Sequence, residues 1–311
     1  MPYSHELLNN ASKLTVVQSV DSDFAIAKDF ILKAVKKMAK QTKNVVSEKT
    51  VDIYIHGSYA NNTNIFFPSN LEICVELKVK PYAYRLTDNY YVQHELEFTP
   101  KAFREMLFET LFEIIAPNCD QNDKCIIMEK FGKLRHTVEI TPCISFEYTE
   151  VNGALFKGVI LHDTTKHADI ATFPKLHAKN GQTKDIMCEG NFRRIVRLFK
   201  SLAAVHSRET GAPMVRGYFI ECLLFNVPDT LFRGSASGPS PQLEKDILQE
   251  IFLKVLNYLM HANIDGFVCQ NLVWQLFGTA AEFWNPADAH RFISAMKLMY
   301  KQFPPTRAML A

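Results

Sequence analysis

Hydrophobic positions along the first half of the chain alternate between helical and strand spacing. Apolar residues recur at helical spacing between Asp21 and Lys43, with lysines on the other face, and predict one long amphipathic helix. Residues Val51 to Ile55 have the pattern of a short strand, which runs into Gly57 and Ser58. From Asn70 to Lys78 apolar and polar residues alternate strictly, as in a half-buried strand. The same reasoning predicts a helix at Pro100–Ile115 and strands at Cys125–Met128 and His136–Tyr148.

Beyond about Asp169 the pattern becomes helical. The segment from Gly234 to Pro241 is rich in Gly, Ser and Pro and predicts a loop. We therefore expect an α/β lobe with a long helix over residues 1–168 and a helical lobe over residues 169–311. A functional site is expected in the cleft between them. The predicted helices of the second lobe are Glu189–His206, Met214–Phe225, Gln242–His261 and Pro286–Gln302.

Composition and charge narrow the class of protein. Hydrophobic residues make up 47% and charged residues 22% of the chain, which is ordinary for a globular protein. A formal net charge of +2 argues against a protein that coats DNA or RNA, so phosphate would be bound in a local pocket. Seven scattered cysteines are typical of a reducing compartment, and no apolar stretch reaches the roughly 18 residues of a membrane span. With no signal peptide at the start, we expect a soluble cytoplasmic protein, monomeric by default and without DNA or membrane partners.

One short segment carries a pattern with chemical meaning. Gly57-Ser58 lies between a predicted strand and a helix, where backbone N–H groups and a hydroxyl can contact a triphosphate. Asn70 follows Ser58 by 12 residues, and Glu72 follows two further on. Side chains at i and i+2 of a strand point the same way, so these two can hold metal ions against that phosphate.

A third acid from another strand would complete a site for two metal ions. Glu139 is the candidate, because its neighbours Val138 and Ile140 face the opposite side of their strand. Taken singly, a Gly-Ser pair is a weak signal, and carboxylates on a strand usually form a solvated face. The spacing of the whole set favours the functional interpretation.

The same residues resemble the signature of the cGAS/DncV-like nucleotidyltransferases, and later segments resemble that family in the same order. The first match is Gly57-Ser58-Tyr59-Ala60-Asn61-Asn62-Thr63-Asn64-Ile65, followed by Ser69-Asn70-Leu71-Glu72-Ile73. The later matches are Val138-Glu139-Ile140-Thr141-Pro142, Phe173-Pro174-Lys175-Leu176-His177 with Asn180-Gly181 and Lys184, Phe192 to Lys200, Glu221 to Pro228, and Trp284 to Ala289.

This resemblance implies a nucleotidyltransferase fold of the polymerase-β type and an enzyme that joins nucleoside triphosphates into a cyclic oligonucleotide signal for antiphage defence. It implies Mg²⁺ or Mn²⁺ as cofactor, with Glu72, Glu139 and Asn70 as metal-binding and catalytic residues. Glu139 would activate the acceptor hydroxyl. The resemblance implies that Gly57, Ser58 and Tyr59 bind nucleotide. A regulatory or effector protein is a further candidate partner.

The acidic set departs from the family pattern, in which active members carry Asp-x-Asp on the first strand and a third Asp on the later one. Here the three positions hold Asn70, Glu72 and Glu139. A carboxamide oxygen is neutral and a poorer ligand for Mg²⁺ than a carboxylate. Three interpretations stay open: an engineered Asn70 that traps substrate, a slow or Mn²⁺-preferring natural enzyme, and a pseudoenzyme that binds nucleotide without turnover.

The predicted helix from Glu189 carries a basic stripe opposite its apolar face. Arg193, Arg197 and Lys200 fall at i, i+4 and i+7 and could face triphosphate oxygens. A solvated basic face is the plainer interpretation, but the family resemblance favours Lys200 as a phosphate contact, with Arg197 second.

Two other functional classes compete with a cyclic oligonucleotide synthase. A catalytically silent nucleotide-binding or regulatory protein on the same fold would account for the altered acidic set. A related transferase that modifies an RNA end or a small molecule is the third option. The near-neutral charge disfavours a tRNA substrate, which calls for a broad basic surface.

Overall fold

The chain folds into two units, each with its own core. A sheet unit comprises residues 18–59 and 70–175, and a helical unit comprises residues 60–65 and 176–301. Within the described residues, the chain crosses from the sheet unit to the helical unit twice, at residues 59/60 and at residues 175/176. Each of these crossings lies inside a helix. Ser69 and residues 235–240 of the predicted loop lie outside the described residues. The computed structural model describes residues 18–65, 70–85, 90–92, 98–150, 152–234, 241–278 and 284–301.

The order of elements confirms the mixed α/β first part and the helical second part. The first part consists of α1 (Gln18–Gln41), β1 (Val51–Ile55), α2 (Gly57–Ala60), β2 (Leu71–Arg85), β3 (Tyr90–Val92), α3 (Pro100–Ile115), β4 (Cys119–Gln121), β5 (Ile126–Met128), β6 (Val138–Thr149), β7 (Leu155–Asp163) and β8 (Ala168–Thr172). The second part consists of α4 (Pro174–Met187), α5 (Asn191–Thr210), α6 (Gly217–Phe225), a 3₁₀ turn (Asp229–Phe232), α7 (Pro241–His261) and α8 (Pro286–Tyr300).

The sheet has the strand order β1-β2-β6-β5-β4. Its central pair, β2 and β6, is parallel, whereas β1 joins β2 and β5 joins β6 in antiparallel register. β7 pairs with the later part of β6 and carries β8 on its other edge. The apolar face of β2 is buried as predicted, with Leu71, Ile73, Val75 and Leu77 fully inaccessible, but Cys74 and Glu76 on the other face are buried as well. The strand is therefore half-buried only at its start, where the accessible Asn70 and Glu72 leave room for a site.

Helices α1 and α3 pack against each other and cover the sheet. The apolar stripe of α1 is buried as its spacing predicts, with Ala27, Ile31 and Met38 fully inaccessible. Helix α3 begins where the sequence predicts, because Thr99 caps it by accepting the N–H of Ala102 at 3.1 Å and Pro100 occupies the first turn.

The helical unit has a separate aromatic core. Phe199 of α5 packs against Phe252 of α7 and Phe292 of α8, with ring centroids 4.6 and 6.2 Å away. Phe219 of α6 contacts Phe292 at 6.3 Å, so α5, α6, α7 and α8 meet around these rings. No helix among the described residues is long and apolar enough to cross a membrane.

Several features differ from the expectation. Helix α4 was not predicted as a helix, because its sequence has almost no apolar periodicity and buries only His177 and Gly181. Strands β7 and β8 were not predicted either. Because β8 pairs with β7, residues 168–175 pack with the sheet, so the units change at residues 175/176 and not at 168/169. Residues 60–65 also pack with the helical unit, which the predicted boundary does not anticipate.

Arg104 of α3 ties this helix to the loop after β4. Its side chain is almost fully buried and donates to the carbonyl oxygen of Asp123 at 2.9 Å and to that of Asn122. We expect Arg104→Met, which keeps the aliphatic stem, to lower the free energy of unfolding by about 2–4 kcal/mol, because these partly buried carbonyl oxygens lose their charged donor. Urea denaturation measures this, with Lys101→Met on the exposed side of α3 as control. Equal midpoints for the two variants would contradict the expectation.

Candidate active site

The Gly57-Ser58 turn holds the carboxylate of Glu72. Gly57 has φ +65°, a conformation that favours glycine, and a Cβ atom there would lie 1.7 Å from Oε2 of Glu72. Ser58 donates its backbone N–H to the same oxygen at 3.2 Å. The N–H of His56 donates to the carbonyl oxygen of Glu72 at 3.0 Å, which fixes the turn to the start of β2. Glycine is therefore required here by the carboxylate as well as by the backbone.

The two glutamates lie side by side. Glu72 on β2 is paired in register with Glu139 on β6 in the parallel ladder. Neighbouring strands lie about 4.8 Å apart, so two carboxylates at paired positions on one face repel each other unless a cation or a donor lies between them. Both side chains are partly exposed, so the pair is open to ligands.

Asn70 meets the second glutamate. Its exposed amide donates through Nδ2 to Oε1 of Glu139 at 2.8 Å. A neutral donor thus stands where a third carboxylate would add a third negative charge. The structure therefore brings together Asn70, Glu72 and Glu139, as the sequence predicts.

A partly buried thiol, that of Cys125, lies near the glutamates. The Sγ atom of Cys125 is 3.4 Å from Oγ1 of Thr141, which in turn is 3.3 Å from Nε2 of His56. Burial is the main cause that raises the pKa of Cys125 to about 12; Glu139 and Glu72 act in the same direction, and the hydrogen bond with Thr141 opposes them. Cys125 is therefore a neutral thiol and not a nucleophile at ordinary pH.

The donor set fits a hard divalent cation. It offers two carboxylates in register and one amide oxygen, the oxygen ligands that Mg²⁺ and Mn²⁺ accept. Within the described part of the chain, no group of three or more His, Cys, Asp and Glu side chains is arranged to hold a metal ion. Any metal at this site would therefore be held by fewer charges than three carboxylates supply, and water or phosphate oxygens would complete its coordination.

The remaining predicted nucleotide contact of the sheet unit is Tyr59. Its ring meets that of His136 edge to face, with centroids 6.3 Å apart and planes at 70°. Tyr59 therefore occupies a defined position directly after the Gly57-Ser58 turn.

Arg197 and Lys200 lie in the helical unit and are almost fully buried. Arg197 donates to the carbonyl oxygen of Asn62 at 2.6 Å, and burial lowers its pKa to about 10. Lys200 donates to the carbonyl oxygen and the hydroxyl of Thr63 at 3.2 and 3.0 Å. The plainer interpretation, a solvated basic face, therefore does not hold for these two residues. Their contact with triphosphate stays a prediction.

Glu221 is the residue that sequence reasoning missed. It lies in the apolar helix α6 and is buried, with Oε1 2.5 Å from Nζ of Lys200. Oε1 also accepts the hydroxyl of Thr63 at 2.5 Å, and Oε2 accepts Nδ2 of Asn61 at 2.8 Å. A lone charge in the run GYFIECLLF is the signal that could have revealed it, because a buried charge needs partners.

His177 completes this network. Its Nε2 lies 2.6 Å from Oε2 of Glu221, and its ring stacks on Tyr218 with centroids 4.7 Å apart. Asn180, in the same helix as His177, donates to the carbonyl oxygen of Gln270 at 2.8 Å. Four donors therefore converge on one carboxylate and fasten residues 61–63 to the helical unit.

Comparisons with known proteins agree with this architecture. The family profile of the cGAS/DncV-like nucleotidyltransferase C-terminal helical domain matches residues 179–301. A cyclic nucleotide synthase of Staphylococcus haemolyticus is 26% identical over 288 residues, covering 86% of this chain and 91% of that protein. A cyclic UMP-AMP synthase of Rhodothermus marinus is 27% identical over 254 residues, covering 79% of this chain and 83% of that protein.

The fold is also similar to a solved structure. The c-UMP-AMP synthase of Rhodothermus marinus with Apcpp and Upnpp superposes with a TM-score of 0.68 at 24% identity. The match covers 88% of this chain and 93% of that one. The fold of this chain is therefore that of a nucleotidyltransferase with a helical C-terminal part.

Gly57 offers a sharp test of the turn. We expect Gly57→Ala to displace the carboxylate of Glu72 and to weaken the binding of a non-hydrolysable ATP analogue by about 100-fold, since positioned charges contribute several kcal/mol at such sites. Gly132→Ala is the matched control, because Gly132 has φ +56° but open space around it. Calorimetry measures the affinity. Similar losses in both variants would show that backbone strain alone is responsible.

Glu221 should make the stability of the protein depend on acid pH. Burial by itself raises the pKa of Glu221, but Lys200 and His177 hold it well below its ordinary value of 4.5. A lowered pKa means that the stabilisation is present above pH 4.5 and is lost as the pH falls below it. We expect Glu221→Gln to cost about 3–5 kcal/mol at pH 7, because Lys200 is left buried without its counter-charge.

Denaturant titrations at several pH values between roughly 3 and 8, a range that includes the ordinary pKa of a glutamate, measure how the free energy of unfolding depends on pH. The variant should show a smaller loss of stability in acid than the parent protein. The exposed Glu209 of α5 supplies the control Glu209→Gln. An acid dependence that is identical in parent and Glu221→Gln would refute the role of the buried pair.

Proposed function

Since the chain belongs to the cGAS/DncV-like nucleotidyltransferase family, we propose that it joins nucleoside triphosphates into a cyclic oligonucleotide. The observation that supports this most directly is the pairing of Glu72 with Glu139 beside the Gly57-Ser58 turn. An N–H-bearing turn next to two carboxylates is an arrangement that can hold a triphosphate and its divalent cation together.

The proposed cofactor is Mg²⁺ or Mn²⁺, held by Glu72, Glu139 and the amide oxygen of Asn70. When bound, such an ion lowers the charge on the phosphates and on the leaving pyrophosphate. For Asn70 to act as a ligand its amide must turn, because Nδ2 now points at Glu139.

Glu72 and Ser58 would exchange partners on nucleotide binding. In this structure the N–H of Ser58 donates to Glu72, so that N–H becomes available to a phosphate oxygen only after the carboxylate has moved. Gly57 leaves room for this close approach, since it has no Cβ atom. The hydroxyl of Ser58 adds a second donor, and Tyr59 can stack on a base.

Glu139 is the residue proposed to act as general base. An acceptor ribose hydroxyl attacks the α-phosphorus of the donor triphosphate, its proton passes to the Glu139 carboxylate, and pyrophosphate leaves with the electrons of the broken P–O bond. A second, equivalent transfer closes the ring. Two bonds form and two pyrophosphates are released when the product is a cyclic dinucleotide.

In this proposal Arg197 and Lys200 support the nucleotide site indirectly, by holding the segment that follows the Gly57-Ser58 turn. Both donate to residues 62 and 63, the segment that continues from the Gly57-Ser58 turn. Direct contact of these side chains with a triphosphate requires them to exchange those partners.

A catalytically silent nucleotide-binding protein is the second candidate. It is favoured by one observation, namely that an amide and not a carboxylate faces Glu139, so that one negative charge is missing from the site. The synthase proposal places the protein in the cytoplasm, where nucleoside triphosphates are made, and in antiphage signalling. Neither place follows for the silent protein.

The deciding variant is Asn70→Asp. We expect the parent protein to make a slow product and Asn70→Asp to raise its rate at least about tenfold, because a third negative charge strengthens metal binding. The assay incubates protein with the four radiolabelled nucleoside triphosphates and Mg²⁺ or Mn²⁺, then with phosphatase, and separates resistant product on thin-layer plates. Glu139→Gln is the control that should abolish product.

The outcomes separate the candidates. Product from the parent chain supports the synthase. Product from Asn70→Asp alone shows that the pocket is competent and that the amide silences it. If neither makes product while both bind an ATP analogue, the nucleotide-binding protein is supported and the synthase is refuted for this chain.

A further inference from the structure

Asp23 is a buried carboxylate with no role in the proposed chemistry. It lies in the first turns of α1 and is fully buried. Its Oδ2 accepts the backbone N–H of His136 at 2.9 Å and lies 2.6 Å from Nδ1 of the same residue. Both oxygens also accept the N–H of Arg135 at 3.2 Å. Since three N–H groups converge on it, the carboxylate is satisfied only when residues 135 and 136 are held in this geometry.

His136 connects this carboxylate to the candidate site. The Asp23 carboxylate accepts the hydrogen bond of Nδ1–H, so it selects the tautomer of His136 that carries its proton on Nδ1 and fixes the plane of the ring. The His136 ring contacts the Tyr59 ring edge to face, with the ring centroids 6.3 Å apart. Tyr59 directly follows Ser58, so Asp23 is connected to the Gly57-Ser58 turn through the rings of His136 and Tyr59.

The same residues lead into the strand that carries Glu139. The carbonyl oxygen of Thr137 accepts the N–H of Leu71 at 2.9 Å. The ladder then begins with Leu71 opposite Val138, and Glu72 opposite Glu139 is the next pair. Asp23 therefore restrains the chain directly before the register that sets the two glutamates side by side.

We propose that Asp23 and His136 form a positioning dyad for the candidate active site, in which Asp23 orients His136 and His136 holds Tyr59 beside the Gly57-Ser58 turn. Its effect on nucleotide rests on the proposed function, whereas its effect on Tyr59 does not. The dyad acts through Tyr59 and does not itself touch the reacting groups.

Two substitutions of His136 separate the donor from the ring. His136→Asn keeps an N–H that can reach Asp23 but has no ring to contact Tyr59. His136→Phe keeps a ring but leaves the buried Asp23 without one donor. We expect His136→Asn to unfold at nearly the parent temperature and His136→Phe to unfold at a lower one.

The chain supplies a matched control. His162 on β7 pairs with Asp169 through Nδ1 at 2.7 Å, so His162→Asn makes the same chemical change in a second His–Asp pair of the sheet unit. We expect the dissociation constant for a non-hydrolysable ATP analogue with Mg²⁺ to rise about two- to tenfold in His136→Asn and to stay unchanged in His162→Asn.

A double-mutant cycle tests whether the dyad acts through Tyr59. If it does, Tyr59→Ala and His136→Asn each weaken binding, and the double variant is no weaker than the worse single variant. Losses that multiply in the double variant would overturn the proposal, and so would an unchanged affinity of His136→Asn.

A readout without nucleotide keeps this test independent of the proposed function. Tyrosine-selective NMR, with the Tyr59 ring signal assigned from Tyr59→Phe, should show that signal shifted in His136→Asn and unmoved in His162→Asn. If the parent protein binds no ATP analogue, the proposed function fails. A Tyr59 signal that shifts in His136→Asn would still support the dyad in that case. A Tyr59 signal that is the same in parent and His136→Asn would refute the dyad whatever binds.

Discussion

The parallel pairing of β2 with β6 is the constraint on which the sheet unit depends. These strands come from chain segments nearly 70 residues apart, yet their register alone decides whether Glu72 lies opposite Glu139. A shift by one residue would turn one of the two glutamates into the core. The buried Leu71, Ile73 and Val75 prevent that shift, because it would also expose them. Packing on one face of the sheet thus positions the charges on the other.

Buried charges perform a second task in both units, because each ties together segments that are distant in sequence. Asp23 joins α1 to residues 135 and 136, and Arg104 joins α3 to the loop after β4. Glu221 joins α6 to residues 61 and 63 and to Lys200. Such groups are costly to bury, and they are satisfied by few arrangements of the chain. They therefore select one arrangement among the many that an apolar core alone would accept.

Sequence reasoning succeeded where a single strand or helix determines the outcome. Alternation predicted β2 and the face on which Asn70 and Glu72 lie, and the apolar neighbours Val138 and Ile140 pointed to Glu139 on the second strand. It did not predict α4, whose apolar residues have no helical period, or the burial of Lys200, which depends on a partner 21 residues away. Periodicity describes one element at a time. It contains no information on which elements meet, and ion pairs such as Lys200–Glu221 are formed only where they do.

The short segment 60–65 has a consequence for how such a protein can be modified. Its flanks belong to the sheet unit, but Asn61 and Thr63 supply two of the donors that Glu221 requires. The helical unit is therefore discontinuous in sequence, and a truncated protein that begins near residue 176 lacks part of it. A chimaera that takes only its C-terminal part from a relative would combine the Glu221 carboxylate of one protein with residues 60–65 of the other. An exchange that keeps this network intact must therefore carry residues 60–65 together with helices that follow them by more than a hundred positions.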